Sequence, residues 1–493
     1  MLKINDIIEI DIKAYGSGGE GIAEYDRGIV FVERTAVGDT VRAKVFFVKK
    51  NVAYARPIKL IKAGSGRAEP PCPVFGRCGG CQLQHLSYEE QLKFKCGLVR
   101  KNLEKIGGIS VEVPEVVPSE KKWNYRNKMS MPVGFFGGKI AAGLYKGNTH
   151  EIIPVADCPL LGNWSGEVIK TVCGFLNEQS LSAYDEKSGK GLVRHIVGRF
   201  VDGQLLVTLV INGDFLPNAE ILQKKLEEKF DKIGFFVNIN KKSTNVIFGE
   251  KTAHIGGIEK IQGAQMGVAY SLRPQSFYQV NDAIKDKIYA KVKELLSGGG
   301  VEILIDAYSG AGILSGALHS EKYRTYAIEI EPAAVNDAEE MKKANGLKNL
   351  TNICGDVETE LAKIVEENPG KNIALVVDPP RKGLGAKVVE TILKAKPRQI
   401  IYISCDSATL ARDLKLLGAA CEIRCATNAT EFARISEQNN QDADKTKIEA
   451  NEPTASAIKS TQHYKITHIQ PYDMFPQTRH VECVVLMSRI DRK

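Results

Sequence analysis

The chain has no apolar run long enough to cross a bilayer, and its start, Met1-Leu-Lys-Ile-Asn-Asp, lacks the hydrophobic stretch of a secretory signal. Both absences predict a cytoplasmic protein. No internal repeat is present, which removes solenoid and propeller architectures. A strong excess of charge of one sign is also missing. The 67 Lys and Arg against 59 Asp and Glu leave +8, a mild balance that suits a polyanionic partner better than a cationic one. A modestly basic enzyme with a small substrate would carry the same charge. With 493 residues and 43% hydrophobic composition, sizeable cores and three domains are expected.

Eleven cysteines in a cytosolic chain do not read as a disulfide framework. Four stand apart by position. Cys72, Cys78 and Cys81 form C-x5-C-x2-C within Pro70-Pro-Cys72-Pro-Val-Phe-Gly-Arg-Cys78-Gly-Gly-Cys81, and Cys158 lies in Ala156-Asp-Cys158-Pro159. The prolines and glycines around them describe loops wrapped about something small. Thiolates suit zinc or an iron–sulfur cluster. Two C-x2-C halves would favour zinc, whereas a tight triplet with one distant Cys-Pro leans towards [4Fe-4S]. Cys96, Cys173, Cys354, Cys421, Cys425 and Cys483 occur singly, and core packing is their expected role.

Short apolar runs at 7–12, 28–32, 40–48 and 53–61, separated by Gly16-Ser-Gly-Gly19 and Val37-Gly-Asp39, predict a small β-barrel over residues 1–62. Its Arg42, Lys44, Lys49, Lys50 and Arg56 interleave with aromatics, as in an oligonucleotide-binding barrel. Residues 63–270 hold the cysteine loops, a helix over 88–106, β-rich patterns and one amphipathic helix at 219–230. The cluster Lys121-Lys122-Trp-Asn-Tyr125-Arg126-Asn-Lys128, with Lys241-Lys242, offers cations for phosphates and rings for bases. From 271 to 493 strands alternate with helices, the pattern of a doubly wound α/β domain. Residues 434–462 carry few large apolar side chains and are expected to be a disordered insertion.

Three segments of that last domain carry chemistry. Asp306-x-Tyr308-x-Gly310-x-Gly312 follows the run 303–306 and lacks the dinucleotide spacing G-x-G-x-x-G, yet its glycine turn still lets a cofactor approach the backbone. Glu329 ends the next strand, where a carboxylate can bind both ribose hydroxyls, and Asp356 after the following strand could reach an adenine amino group. That order fits S-adenosylmethionine at least as well as NAD. Asp378-Pro379-Pro380-Arg381-Lys382-Gly383 follows the apolar run 373–377, and Ser404-Cys405-Asp406 follows the run 400–403. A thiol at the rim of a cofactor crevice points to nucleophilic attack on a substrate held beside it.

These motifs, with Arg273-Pro-Gln-Ser-Phe-Tyr-Gln279-Val-Asn281 and the closing Asp473-Met-Phe-Pro-Gln-Thr-Arg-His-Val-Glu482, resemble in sequence and order the S-adenosylmethionine-dependent, iron–sulfur-bearing RNA uracil-5-methyltransferases. The resemblance runs nearly end to end. It implies a TRAM barrel, a [4Fe-4S] cluster on Cys72, Cys78, Cys81 and Cys158, and a cofactor site lined by Gln279, Tyr308, Glu329, Asp356 and Asp378. Cys405 would be the nucleophile and Glu482 the base. Ile313 departs from a polar residue of some relatives, and the 434–462 insertion separates the catalytic strand from the Glu482 motif. The implied partner is RNA, with 23S ribosomal RNA favoured over transfer RNA, and neither a membrane nor an obligate protein partner is inferred. A cytosine-5 or adenine-N6 methyltransferase fits less well, because Arg381 stands where amino methylation uses an aromatic and Cys405 is not in a Pro-Cys motif. A non-catalytic RNA-binding assembly factor would have no use for Cys405 and Glu482.

Overall fold

The computed structural model describes residues 2–26, 28–297, 300–420 and 463–490. The expected insertion at 434–462, with Cys421 and Cys425, lies outside them. Among the described residues no helix is long and apolar enough to cross a membrane.

The first sheet has six strands in the order Ile7–Asp11, Thr40–Lys49, Val52–Lys62, Gly28–Val32, Gly21–Tyr25 and Ala14–Tyr15. Val41, Ala43 and Val45 alternate inward along the second strand and meet Ile8, Ile10, Val30 and Val32 in one core. Sequence patterning missed the last two strands, because Gly-Ile-Ala-Glu-Tyr is too short and too mixed to show a clear period.

The second sheet has seven strands, in the order Lys251–Gly257, Ile233–Ile239, Gln204–Ile211, Val193–Val201, Lys128–Phe136, Lys139–Tyr145 and Ile152–Pro154. Two helices cover one face, Ala219–Glu227 and Asn163–Glu178, where one was expected. The second buries Val168, Ile169, Val172, Phe175 and Leu176, a helical spacing that its two internal glycines and β-branched residues had masked. Helix Tyr88–Asn102 begins at Ser87, whose hydroxyl accepts from the Glu90 amide, and continues as a wider turn over Leu103–Gly107.

The third sheet has eight strands. From one edge they are Leu350–Cys354, Arg324–Glu329, Ile303–Ala307, Ile373–Val377, Gln399–Ser404, Glu482–Arg489, Tyr464–Tyr472 and Ala419–Ala420. The first five run parallel, and Glu482–Arg489 inserts antiparallel beside the fifth. Apolar cores lie on both faces, one under Val357–Glu367, Ala386–Ala395 and Ser407–Leu416, the other under Asp282–Leu296 and Ile313–Leu318. This is a doubly wound arrangement; the helices Asp282–Leu296 and Val357–Glu367 had no counterpart in the sequence reading. Strand order reverses between Ile303–Ala307 and Ile373–Val377, and ligands of open α/β sheets bind outside such a point.

Candidate functional site

At that reversal the first strand ends in Asp306 and Ala307, followed by a turn in which Tyr308, Gly310 and Gly312 all take positive φ, 68°, 57° and 75°. A Cβ on Gly312 would stand 2.8 Å from the Ala338 Cβ, so the turn sits close against helix Pro332–Ala344. The Glu329 carboxylate accepts from the Gly310 amide at 2.9 Å and the Glu331 amide at 2.9 Å, which fixes it at the rim of the turn. Gly310, Glu329, Glu331, Asp337 and Phe277 line a cleft of about 750 Å³. Phe277, quoted in the sequence only as part of a motif, is 63% exposed there. Gln279 is tied through its carbonyl, which accepts from Asn127 Nδ2 at 2.9 Å. Asp356 caps helix Val357–Glu367 by accepting from the Glu358 amide at 2.8 Å, so one of its oxygens is already engaged.

Asp306 and Asp378 end neighbouring strands. Burial, with the Glu329 charge opposing ionisation and a hydrogen bond from Ser315 Oγ favouring it, pushes Asp306 up to about 7. Burial and the Asp306 charge push Asp378 to about 7 as well. Tyr308 is raised to about 12, by burial and then by Asp356.

Cys405 directly follows strand Gln399–Ser404, and Asp406 caps the next helix by accepting from the Ala408 and Thr409 amides at 3.0 and 2.9 Å. The antiparallel ladder ends with Ser404 paired to Cys483, and Cys405 and Glu482 are the next residues at that same end, where the Glu482 charge acts on the Cys405 thiol. The two residues are 77 positions apart in the chain, and this strand insertion brings them together.

Glu482 is buried, at 2% exposure. Burial and the Asp378 charge hold its carboxyl well above the usual range, opposed by Arg381. Burial, Glu482 and Asp378 push the Cys405 thiol up to about 12, while Arg381 opposes the rise by charge and by a hydrogen bond to the sulfur. Arg381 is the common cation of the pair. The sequence offered it only as a reason against amino methylation.

The segment leading to Glu482 is held from behind. Lys95 and Asp473, both fully buried, pair at 2.5 Å, and Lys95 also donates to the Phe475 carbonyl at 3.0 Å. Gln91 and Gln477 exchange hydrogen bonds of 2.9 Å each way, and the amides of Gln82 and Leu83 donate to the Gln477 carbonyl at 3.1 and 3.0 Å. The Cys81 loop and the Glu482 segment are thus joined directly.

Cys72, Cys78, Cys81 and Cys158 line one cavity of about 400 Å³ beside strand Lys128–Phe136, with Arg126 and Lys128 on its wall. Burial, followed by the charges of its fellow cysteines, raises Cys81 to about 12. The Gly80 amide points at the Cys78 sulfur at 3.3 Å. Among the described residues no three His, Cys, Asp or Glu side chains converge as ligands of a single metal ion.

On the barrel, Phe31 and Tyr54 stack at 5.2 Å, and Arg56 lies 4.5 Å over the Phe46 ring. Phe46, Phe47 and Tyr54 are exposed, which gives the aromatic and basic surface expected. Tyr125 corrects the sequence reading. It is buried and donates to the Pro476 carbonyl at 3.1 Å, so its ring braces the Glu482 segment and is not free to stack on a base.

Comparison with known proteins agrees with this fold. Residues 199–433 match the tRNA (uracil-5-)-methyltransferase family and residues 2–58 the TRAM domain. An RNA methyltransferase of Listeria monocytogenes is 34% identical over 490 residues, covering 99% of this chain and 98% of its own. One from Clostridium acetobutylicum is 35% identical over 497 residues, covering 100% and 99%. The crystal structure of Pyrococcus abyssi tRNA (uracil-54, C5)-methyltransferase with S-adenosyl-L-homocysteine aligns at a TM-score of 0.70 and 25% identity, over 97% of this chain and 100% of that one. With a TRAM barrel ahead of a doubly wound catalytic sheet, the chain belongs to the S-adenosylmethionine-dependent RNA uracil-5-methyltransferase family.

Proposed function

We propose that the chain forms 5-methyluridine in 23S ribosomal RNA, in the cytoplasm, with Cys405 as nucleophile and Glu482 as base. The observation that carries the catalytic assignment is that Cys405 and Glu482 stand at the same end of two adjacent strands, with the Glu482 charge acting on the Cys405 thiol and Arg381 acting on both. Uracil C5 is a weak nucleophile, and covalent addition at C6 overcomes this. The Cys405 thiolate adds to C6 and places an electron pair at C5. S-adenosylmethionine, when bound, supplies the electrophilic methyl group that C5 takes up, and leaves as S-adenosylhomocysteine. Glu482 then removes the C5 proton, and the returning electron pair expels Cys405. Burial raises the Glu482 carboxyl above its usual range, which makes its carboxylate a stronger base towards that proton. Gln279, Tyr308, Glu329, Asp356 and Asp378 would line the cofactor site, and Phe277, exposed at its mouth, would stack on the extruded base.

We assign residues 1–62 to the RNA-binding barrel, 63–270 to the cluster-bearing domain and 271–493 to the methyltransferase domain. That Cys72, Cys78, Cys81 and Cys158 line one cavity supports a [4Fe-4S] cluster, which the four thiolates would hold. The spacing of a tight triplet, Cys72, Cys78 and Cys81, with one distant Cys158 favours the cluster over zinc. Methyl transfer has no redox step, so the cluster would fix the loop that contacts Gln477. The ribosomal assignment rests on the barrel and cluster together. Transfer RNA is the second reading, favoured by the Pyrococcus relative. Incubating the protein with labelled S-adenosylmethionine and separately purified ribosomal and transfer RNA, then identifying the nucleoside, decides between them. Label in 5-methyluridine of the large ribosomal RNA is expected, and label confined to transfer RNA would overturn the assignment.

A further inference from the structure

Asn127 stands just before strand Lys128–Phe136 and is buried, at 5% exposure. All three of its N–H groups are directed at the stretch 279–282 of the cofactor-side motif. Its amide donates to the Val280 carbonyl at 3.1 Å, and its Nδ2 donates to the Gln279 carbonyl at 2.9 Å and to the Asp282 carboxylate at 3.1 Å. Its own carbonyl accepts from the Phe200 amide at 2.8 Å, which fastens it to strand Val193–Val201. The chemistry of asparagine suits this place. A short side chain with two donors on one nitrogen reaches a carbonyl and a carboxylate together, whereas aspartate would set a second negative charge against Asp282. Residues 273–281 lie between strand Val268–Leu272 and helix Asp282–Leu296 and belong to no strand themselves. No ladder fixes Gln279, and the Asn127 bonds take the place of one.

The other side of the same segment is bonded to a cysteine loop. Successive residues of an extended chain face opposite ways, so while the Asn127 amide meets Val280, the Arg126 amide donates to the Leu160 carbonyl at 2.9 Å. The Asn124 amide donates to the Pro159 carbonyl at 2.9 Å, and Arg126 forms an isolated bridge with Leu161. The loop is closed by the Leu161 amide, which donates to the Cys158 carbonyl at 2.9 Å. Cys158, Leu160 and Leu161 all line the four-cysteine cavity. Residues 124–127 thus join a proposed cluster ligand on one side to a proposed cofactor-site residue on the other, by backbone hydrogen bonds and one amide side chain.

We infer that Asn127 is a positioning residue for the S-adenosylmethionine site, and that through residues 124–127 the state of the four-cysteine loop sets the place of Gln279. The inference rests on the cluster reading and adds the cofactor site to what a cluster would fix. With Cys158 engaged, the loop 158–161 is anchored, and it presents the Pro159 and Leu160 carbonyls at fixed places. Those two bonds hold residues 124–127, and Asn127 then holds its three donors against 279–282. With Cys158 released, the loop loses its anchor and the chain of bonds slackens. Gln279 must then be ordered when the cofactor binds, and affinity falls by the cost of that ordering.

The test is calorimetric binding of S-adenosylmethionine to full-length protein prepared without oxygen. Wild type, Asn127→Ala, Cys158→Ser and the double variant are compared, with iron content and circular dichroism measured on each. Asn127→Ala should keep its iron and bind about twofold to thirtyfold more weakly, the range for substitutions along a coupling route. Cys158→Ser should lose its iron and weaken binding by a similar factor. In the double variant the two losses should not multiply, because the loop acts on the cofactor site through Asn127. Independent structural damage at the two positions would make them multiply. Stripping iron from folded wild type and Asn127→Ala with a chelator repeats the comparison without the cysteine change, in case that variant does not fold. Wild-type affinity in Asn127→Ala, unchanged affinity after iron loss, or losses that multiply would each overturn the inference. Wild type purified without iron would instead remove the cluster reading, and the Asn127→Ala affinity alone would then decide whether this residue positions the cofactor site.

Discussion

S-adenosylmethionine should activate Cys405 before any RNA arrives, and its demethylated product should not. In the free protein burial, Glu482 and Asp378 hold the thiol at about 12 against about 8.5 for an unperturbed cysteine. At pH 7.5 the thiolate is then roughly one part in thirty thousand, whereas a free cysteine is roughly one part in ten ionised. Iodoacetamide should therefore label Cys405 about three-thousandfold more slowly than an exposed thiol. Because a raised acid ionises only above its pKa, labelling should climb about tenfold per pH unit through pH 10. With Asp378 in the proposed cofactor site, a bound sulfonium would offset its negative charge. An opposite charge within about 4–6 Å lowers an acid pKa by roughly 1–3 units. S-adenosylmethionine should thus speed labelling about tenfold to a thousandfold. S-adenosylhomocysteine fills the same volume without the charge and should leave the rate unchanged or slower. The assay is time-resolved mass spectrometry of the Cys405 peptide, with Cys405→Ser as the blank. Labelling at pH 7.5 as fast as a free thiol, or equal effects of the two ligands, would refute this electrostatic account.

Lys95→Met leaves Asp473 buried and alone, and should cost about 3–5 kcal/mol in urea denaturation, while Lys95→Met with Asp473→Leu should recover most of it. Asp306 keeps its proton to about 7 when folded but to only about 3.9 when unfolded. Its contribution therefore lowers stability as pH rises between those values, by up to about 4 kcal/mol, and Asp306→Asn should flatten that slope when urea midpoints at pH 5 and 8 are compared. Glu329→Ala should weaken S-adenosylmethionine binding by about 1–3 kcal/mol in calorimetry, whereas Cys405→Ala should leave it intact. Protein prepared without oxygen should contain about four iron atoms per chain and lose them with Cys158→Ser, and stoichiometric zinc would contradict the cluster.

The sequence disclosed the alternating architecture because parallel strands buried on both faces read as continuous apolar runs, as at Ile373–Val377 and Gln399–Ser404. The motifs singled out Cys405 and Glu482 but did not show that their segments lie side by side. That fact needs the antiparallel insertion of Glu482–Arg489, which no local pattern announces. Arg381 was hidden in the same way, since a cation's effect depends on which buried acids it faces. Tyr125 was misread because a ring between lysines looks exposed in sequence, whereas its hydroxyl anchors a carbonyl 351 residues away. Helix Asn163–Glu178 was legible in its spacing and overlooked for its glycines.

The central claim is that Cys405 opens the reaction and Glu482 closes it. Glu482→Gln, mixed with substrate RNA and labelled S-adenosylmethionine, should accumulate a covalent protein–RNA adduct that carries the transferred methyl group, because addition and transfer proceed while the C5 proton stays. A denaturing gel shows it as a slow, labelled band, which Cys405→Ala and the double variant must lack. Normal turnover by Glu482→Gln, or the same band in the Cys405→Ala background, would contradict the assignment.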